Sequence, residues 1–360
     1  MSAVYVFLII SIIVLVIQNT SCAKKGEISS INVFSKQNFL WCKSFAALFI
    51  MYGHTVAALK NTDNFPAILG KIDFGWHWVA LFFLCSGYGV TFGVNNKKDY
   101  MKGFLKNRLV KVLIPFVSAH IFYFAVKSLT GTVFTIRDLV LGLLGQLNVV
   151  EYSWYPIALV VMYIIFALLW KLKISDKFKI VILFAANIFY SFMALTIFGN
   201  KDWWYISNLA FAVGCALYYL PSRYKQKPVA LICSGVITHL FGVLIQPFYS
   251  RIIGGYSAVA YVVSCNIATA GMACAFIGAM TAFSNIHSKL IKHLSNISYE
   301  VYLLHGLIIY SLKLFGIERY PWIFPLVTIL GTVLLAVPVH FINQKIVGRL
   351  IIDYRRVKNY

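Results

Sequence analysis

The chain has 360 residues, of which 60% are hydrophobic and only 12% charged, with a mean hydropathy of +0.79. Soluble domains carry about 25% charged residues, so a water-soluble globule is excluded. The formal net charge of +21 would suit a nucleic-acid partner, but the basic residues cluster in alternate loops between apolar runs, as membrane orientation requires, and no nucleic acid is expected.

This pattern predicts an all-α fold, a polytopic transmembrane helical bundle of ten core helices plus one N-terminal hydrophobic segment, with the lipid bilayer as solvent. Residues 3–18 form that first segment. It lacks a basic leader, Ser21-Cys22-Ala23 resembles a cleavage site only loosely, and cleavage would leave Lys24 and Lys25 outside. An uncleaved extra helix with its N-terminus outside is the expected arrangement. The core spans are expected at 44–60, 74–94, 112–130, 154–171, 178–198, 203–220, 228–248, 257–283, 298–314 and 322–344. With 19–43 in the cytoplasm, the inner loops hold 24 of the 32 Lys and Arg and the outer side 8, which puts the C-terminus inside. The expected organisation is an N-terminal segment and linker (1–34), a membrane domain (35–345) and a basic cytoplasmic tail (346–360).

The first core span carries His54, eleven residues after Lys43. A charged side chain at mid-bilayer costs on the order of 2.5–3.5 kcal/mol on insertion scales, so an ionisable residue there is a functional candidate by default. Eleven helical residues leave Lys43 and His54 within about 20° of one face and roughly 16 Å apart along the axis. Lysine at that level can hold an anionic group, and a neutral imidazole deeper in can accept a proton from a hydroxyl. An interhelical hydrogen-bonding histidine beside a topogenic lysine explains the pair equally well.

The second core span opens beside Asp73, Trp76, His77 and Trp78 and continues as LFFLCSGYG over 81–89. Ser86 and Gly87 are small enough for close helix approach, which accounts for the motif without a nucleophile. Residues 104–116 place Arg108 and Lys111 on one face at the cytoplasmic mouth of the third span, with Pro115 one turn deeper; Lys97, Lys98, Lys102 and Lys106 precede them. Such a cation cluster can seat a polyphosphate, although positive-inside bias also predicts it. Trp154 and Tyr155 open the fourth span as expected of an interfacial aromatic belt, and such rings also stack on sugars. In the ninth span Ser298, Tyr302 and His305 recur at i, i+4 and i+7, a polar stripe that must face protein or a wet cavity. Glu300 lies about 140° from His305 and is a poor candidate for orienting that ring. His120, His239 and His340 have no companions in sequence and are expected to be packing residues. The seven cysteines show no metal or disulfide spacing and are expected to pack as small apolar residues.

In order along the chain, these features resemble the acyltransferase family 3 integral-membrane O-acyltransferases of bacterial surface and secreted glycans. The resemblance rests on Lys43 and His54 with ten residues between them, FFLCSG at 82–87, Arg108-x-x-Lys111 with Pro115, Trp154-Tyr155 at a helix start, and Ser298-x-x-x-Tyr302-x-x-His305. One departure is Lys43, where the family usually carries arginine; lysine keeps the charge but loses the bidentate fork.

The resemblance implies that residues 35–345 are a membrane acyltransferase domain of the bacterial inner membrane. It implies transfer of an acyl group, usually acetyl from acetyl-CoA, to a sugar hydroxyl, with no metal. It implies His54 as general base, acting either directly or through a covalent acyl-histidine. Lys43, Arg108 and Lys111 would hold the phosphates of acyl-CoA, and Ser86, Trp154, Ser298, Tyr302 and His305 would line the cavity. Short outer loops suggest a glycan or lipid-linked oligosaccharide acceptor that reaches into the bundle. The rival readings are a transporter, which would show internal repeats or paired broken helices, and a glycan polymerase, which would carry a long outer loop with arginines. Neither pattern is present.

Overall fold

The computed structural model describes residues 7–14, 32–60, 75–152, 154–196, 204–252 and 258–357, and among them every regular element is helical. Residues 7–14 are helical, and among the described residues eleven α-helices of eight or more residues follow: α1 Lys36–Leu59, α2 Gly75–Asn96, α3 Phe104–Leu129, α4 Ile136–Leu143, α5 Trp154–Lys171, α6 Asp176–Thr196, α7 Leu209–Tyr218, α8 Pro228–Ile252, α9 Ala258–Met280, α10 Lys289–Leu314 and α11 Ile323–Val357. Ser21-Cys22-Ala23 and Asp73 lie outside the described residues.

Among the described residues, eight helices are long and apolar enough to cross a membrane: α1, α2, α3, α5, α6, α8, α9 and α11. Two expected spans depart from this. Helix α7 has only 10 residues, because the chain at 205–208 is irregular. Its backbone is satisfied from α9, where Asn266 Nδ2 donates to the Tyr205 carbonyl, Thr269 Oγ1 donates to Ile206 O at 2.6 Å, and Asn266 Oδ1 accepts from Leu209 N–H at 3.1 Å. Non-helical backbone at membrane depth is tolerated only with such partners. Helix α10 has 26 residues, and its charged and polar side chains keep it outside the apolar set. It begins well before the expected 298, and α11 runs on through most of the expected tail.

The chain forms two compact units. The first comprises Met1–Ala46, Trp76–Lys98 and Leu168–Ser295. Within it α2 and α7 meet backbone to backbone: a Cβ on Gly87 would lie 2.0 Å from Phe211 O, and one on Gly214 would lie 2.1 Å from Leu84 O. The small-residue reading of the SG pair is therefore a requirement of packing. Trp78 stacks on Phe276 with centroids 3.9 Å apart, and buried Asn38 ties α1 to α9 by donating to Ile277 O at 2.9 Å.

The second unit comprises Ala47–Gly75, Asp99–Ala167 and Asn296–Tyr360. Its contacts give the helix directions. The end of α1 runs with α10, since His54 meets His305 and Leu59 clusters with Ile309 and Phe324. Helix α3 runs the same way, because Tyr299 donates to Val112 O while Tyr123 meets Gly306 about two turns further along α10 and about three turns further along α3. Helices α5 and α11 run opposite, with Tyr155 against Tyr302, Tyr163 against Phe104, and Asn343 on Glu300. These alternations match the order that the loop charges require.

Candidate active site

Helix α10 supplies the polar stripe predicted for it. Ser298, Tyr302 and His305 are 4%, 1% and 0% exposed, so the stripe faces protein throughout. Helix α1 brings half-buried His54 to its end, with Nδ1 2.7 Å from His305 Nε2. His305 Nδ1 in turn lies 3.3 Å from the carbonyl of Val301, one turn back on its own helix. The two imidazole planes differ by 8° and their centroids are 4.9 Å apart. An imidazole nitrogen sits about 1.1 Å from its ring centre, so that separation places the rings edge to edge, with the N–H aimed along the opposing lone pair.

Tyr152 covers this pair. Its ring stacks on His54 at 3.7 Å and 10°, and reaches His305 at 5.3 Å. The residue adopts φ 62°, a left-handed conformation that costs a non-glycine residue about 1–2 kcal/mol. Three contacts hold it there. The Tyr302 hydroxyl donates to the Tyr152 carbonyl. Gly306 leaves room beside it, since a Cβ there would meet Tyr123 Oη at 2.5 Å, Glu151 Cβ at 3.0 Å and Tyr152 Cδ2 at 3.2 Å. Lys127 Nζ donates to Val149 O at 3.2 Å and stands 3.7 Å from Glu151 Oε1, pinning the loop to α3. Burial pushes the Tyr152 phenol up to about 12, so the hydroxyl is neutral at physiological pH and serves as no base. The sequence held the segment around Tyr152 but no local signal for its role.

Trp154 and Tyr155 are 6% and 4% exposed, which corrects the interfacial-belt reading: they are buried core residues, Tyr155 edge-on against Tyr302 and Trp154 edge-on against Tyr155, rather than a lipid-facing girdle. Arg108 is half-buried within the rings of Tyr100, Phe104 and Tyr163, at 5.8, 5.9 and 5.7 Å, and donates to the Tyr100 hydroxyl. Lys111, one turn further, is exposed. Lys43 and Ser86 belong to the first unit, where Lys43 is exposed and Ser86 half-buried.

His340 is not the solitary packing residue expected. Its Nδ1 stands 3.0 Å from Glu300 Oε2, and Glu300 Oε1 accepts from Asn343 Nδ2 at 3.2 Å, while Asn343 Oδ1 accepts from Ser118 at 2.6 Å. A carboxylate 2% exposed thus ties α10, α11 and α3 together, and it does not orient His305. His120 and His239 are buried with Nδ1 on the carbonyls of Phe116 and Ala268, as packing residues should be. Cys42, Cys85, Cys215 and Cys265 are buried, whereas Cys233 is exposed. Among the described residues no three His, Cys, Asp or Glu side chains converge as a metal site would require.

The arrangement can hold one imidazole nitrogen ready to take a proton in a site largely closed to water. A family model described as an acyltransferase domain matches residues 37–341. No curated protein and no solved structure matches the chain.

Proposed function

The chain belongs to acyltransferase family 3, and from that premise we propose that it transfers an acyl group, acetyl from acetyl-CoA, to a hydroxyl of a cell-surface or secreted glycan, with His54 as general base. The observation that carries the assignment is the engagement of His54 Nδ1 by His305, which commits one nitrogen to the protein and reserves Nε2 for the substrate. In the reaction the acceptor O–H gives its proton to His54 Nε2 as the oxygen attacks the thioester carbonyl carbon. The C–S bond then breaks, and the leaving thiolate takes the proton from Nε2. Charge is conserved and the base is regenerated. A positioned base of this kind contributes about 10²–10⁴ in rate.

Lys43, Arg108 and Lys111 hold the phosphates of the donor in this reading, and Ser86, Trp154, Ser298, Tyr302 and His305 shape the cavity. The fixed cage around Arg108 supports a preorganised guanidinium, which suits bidentate phosphate recognition. The bilayer is the bacterial inner membrane, the C-terminus is cytoplasmic, and the acceptor is a glycan or a lipid-linked oligosaccharide.

The test is His54→Ala in cells that carry the gene. Membrane insertion and yield should stay at parent level, while mass spectrometry of the extracted glycan loses the acetyl increments. Full acetylation in the variant removes His54 from the base role.

A further inference from the structure

Both ring nitrogens of His305 are engaged, Nε2 with His54 and Nδ1 with the Val301 carbonyl, so it could serve as a second base only by breaking a contact that it makes, and its geometry defines a different task. We infer that His305 is a positioning residue that locks His54 in the Nδ1–H tautomer and so leaves the Nε2 lone pair as the sole proton acceptor of the site. The inference rests on the reading of His54 as base.

The assignment follows from what each partner can do. A carbonyl oxygen only accepts, so the contact from His305 Nδ1 to Val301 O places a proton on that Nδ1. A neutral imidazole carries one proton, so His305 Nε2 is a bare acceptor. The 2.7 Å contact then requires His54 Nδ1 to be the donor, and His54 Nε2 is left without a proton. Near-coplanar rings make the link directional, and the Tyr152 ring against the imidazole face resists rotation about the last side-chain bond. When Nε2 takes the acceptor proton, the new positive charge is shared through Nδ1–H with a neutral acceptor already in place. The opposite tautomer of His54 would place N–H against the incoming hydroxyl and offer it no base.

The chain of hydrogen bonds ends on a main-chain carbonyl of α10 as its terminal acceptor, so the lock is set by the helix that carries His305 and needs no carboxylate. That agrees with Glu300 being committed to Asn343 and His340.

The direct test is solid-state ¹⁵N NMR of the full-length, histidine-labelled protein in lipid bilayers, with His54 assigned by difference against His54→Ala. The expected spectrum shows a protonated Nδ1 and a bare Nε2 on His54. A protonated Nε2 with a bare Nδ1 overturns the inference with no mutation of His305 needed. Acylation of extracted glycan gives the second readout. His305→Leu should lose about 10–100-fold, as removal of a ligand-orienting partner does elsewhere. His305→Gln, whose Oε1 can still accept from His54 Nδ1, should recover at least several-fold of that loss. His305→Leu at parent activity overturns the lock. His305→Gln as inactive as His54→Ala also overturns it, because His305 would then take part chemically. If His54→Ala itself keeps full activity, the base reading fails while the NMR spectrum still decides the tautomer.

Discussion

Gly306→Ala is the sharpest probe of how the site is assembled, because two effects of opposite sign meet at one atom. In a helix interior alanine is favoured over glycine by about 0.8–1 kcal/mol. Against that, the new Cβ would lie 2.5 Å from Tyr123 Oη, 3.0 Å from Glu151 Cβ and 3.2 Å from Tyr152 Cδ2. Tyr123 is fully buried and cannot swing aside, and the loop bearing Glu151 is held by Lys127. Overpacking of this kind costs about 1–3 kcal/mol, so sterics prevail and the variant should be destabilised by roughly 1 kcal/mol net. The larger effect should be on activity. The least constrained response is an outward shift of Tyr152, which forfeits the stack on His54, a contact worth about 0.5–1.5 kcal/mol. The assay is a double-mutant cycle, read as thermal midpoint in detergent and as glycan acylation in cells. Tyr123→Phe removes the closest atom, so Gly306→Ala with Tyr123→Phe should be more stable than Gly306→Ala alone. A Gly306→Ala protein with parent stability and parent activity would refute the reasoning, and so would a cycle with no coupling between the two positions.

The left-handed backbone of Tyr152 predicts that Tyr152→Gly is more stable than Tyr152→Ala by about 1 kcal/mol, although both lose the ring and should acylate poorly. Tyr152→Phe keeps the stack and should lose less than roughly threefold of activity; an inactive Phe variant would give the hydroxyl a role of its own. At Glu300, Gln still accepts from Asn343 and should cost roughly 1 kcal/mol, whereas Leu strands Asn343 and His340 and should cost about 3–5 kcal/mol. Equal thermal midpoints for the two variants would argue against the network as a tie between α10 and α11. Gly87→Ala drives a Cβ to 2.0 Å from a main-chain oxygen that cannot rotate away, so folded yield after detergent extraction should fall sharply, and a normal yield would contradict the α2 and α7 packing.

What could be read from the chain beforehand was whatever depends on one helix alone. Apolar runs and loop charges marked the spans, and the spacing of Ser298, Tyr302 and His305 marked a buried face, because helical periodicity needs no partner to be visible. The short α7 escaped notice because the irregular backbone leading into it at 205–208 is made tolerable by Asn266 and Thr269, some sixty residues away. Trp154 was misread because a core tryptophan and a belt tryptophan differ only in what surrounds them. The companions of His340 and His54 lie at separations of 40 and 251 residues, beyond the reach of any local pattern.

Tyr152 was illegible for a stronger reason: its backbone runs against the preference of its own residue type, and a sequence rule would have asked for glycine or asparagine there. A strained residue persists when surrounding contacts over-determine it, and such outliers gather at functional sites. Here the over-determination is explicit, with the Tyr302 hydroxyl on the carbonyl, Gly306 opening the space and Lys127 holding the loop. Tyr302 and Gly306 flank His305 on α10, so one helix both engages His54 Nδ1 and seats the ring that covers it. The cost of the left-handed turn therefore falls beside the His54 imidazole, where the proposed base role needs one ring orientation to be kept.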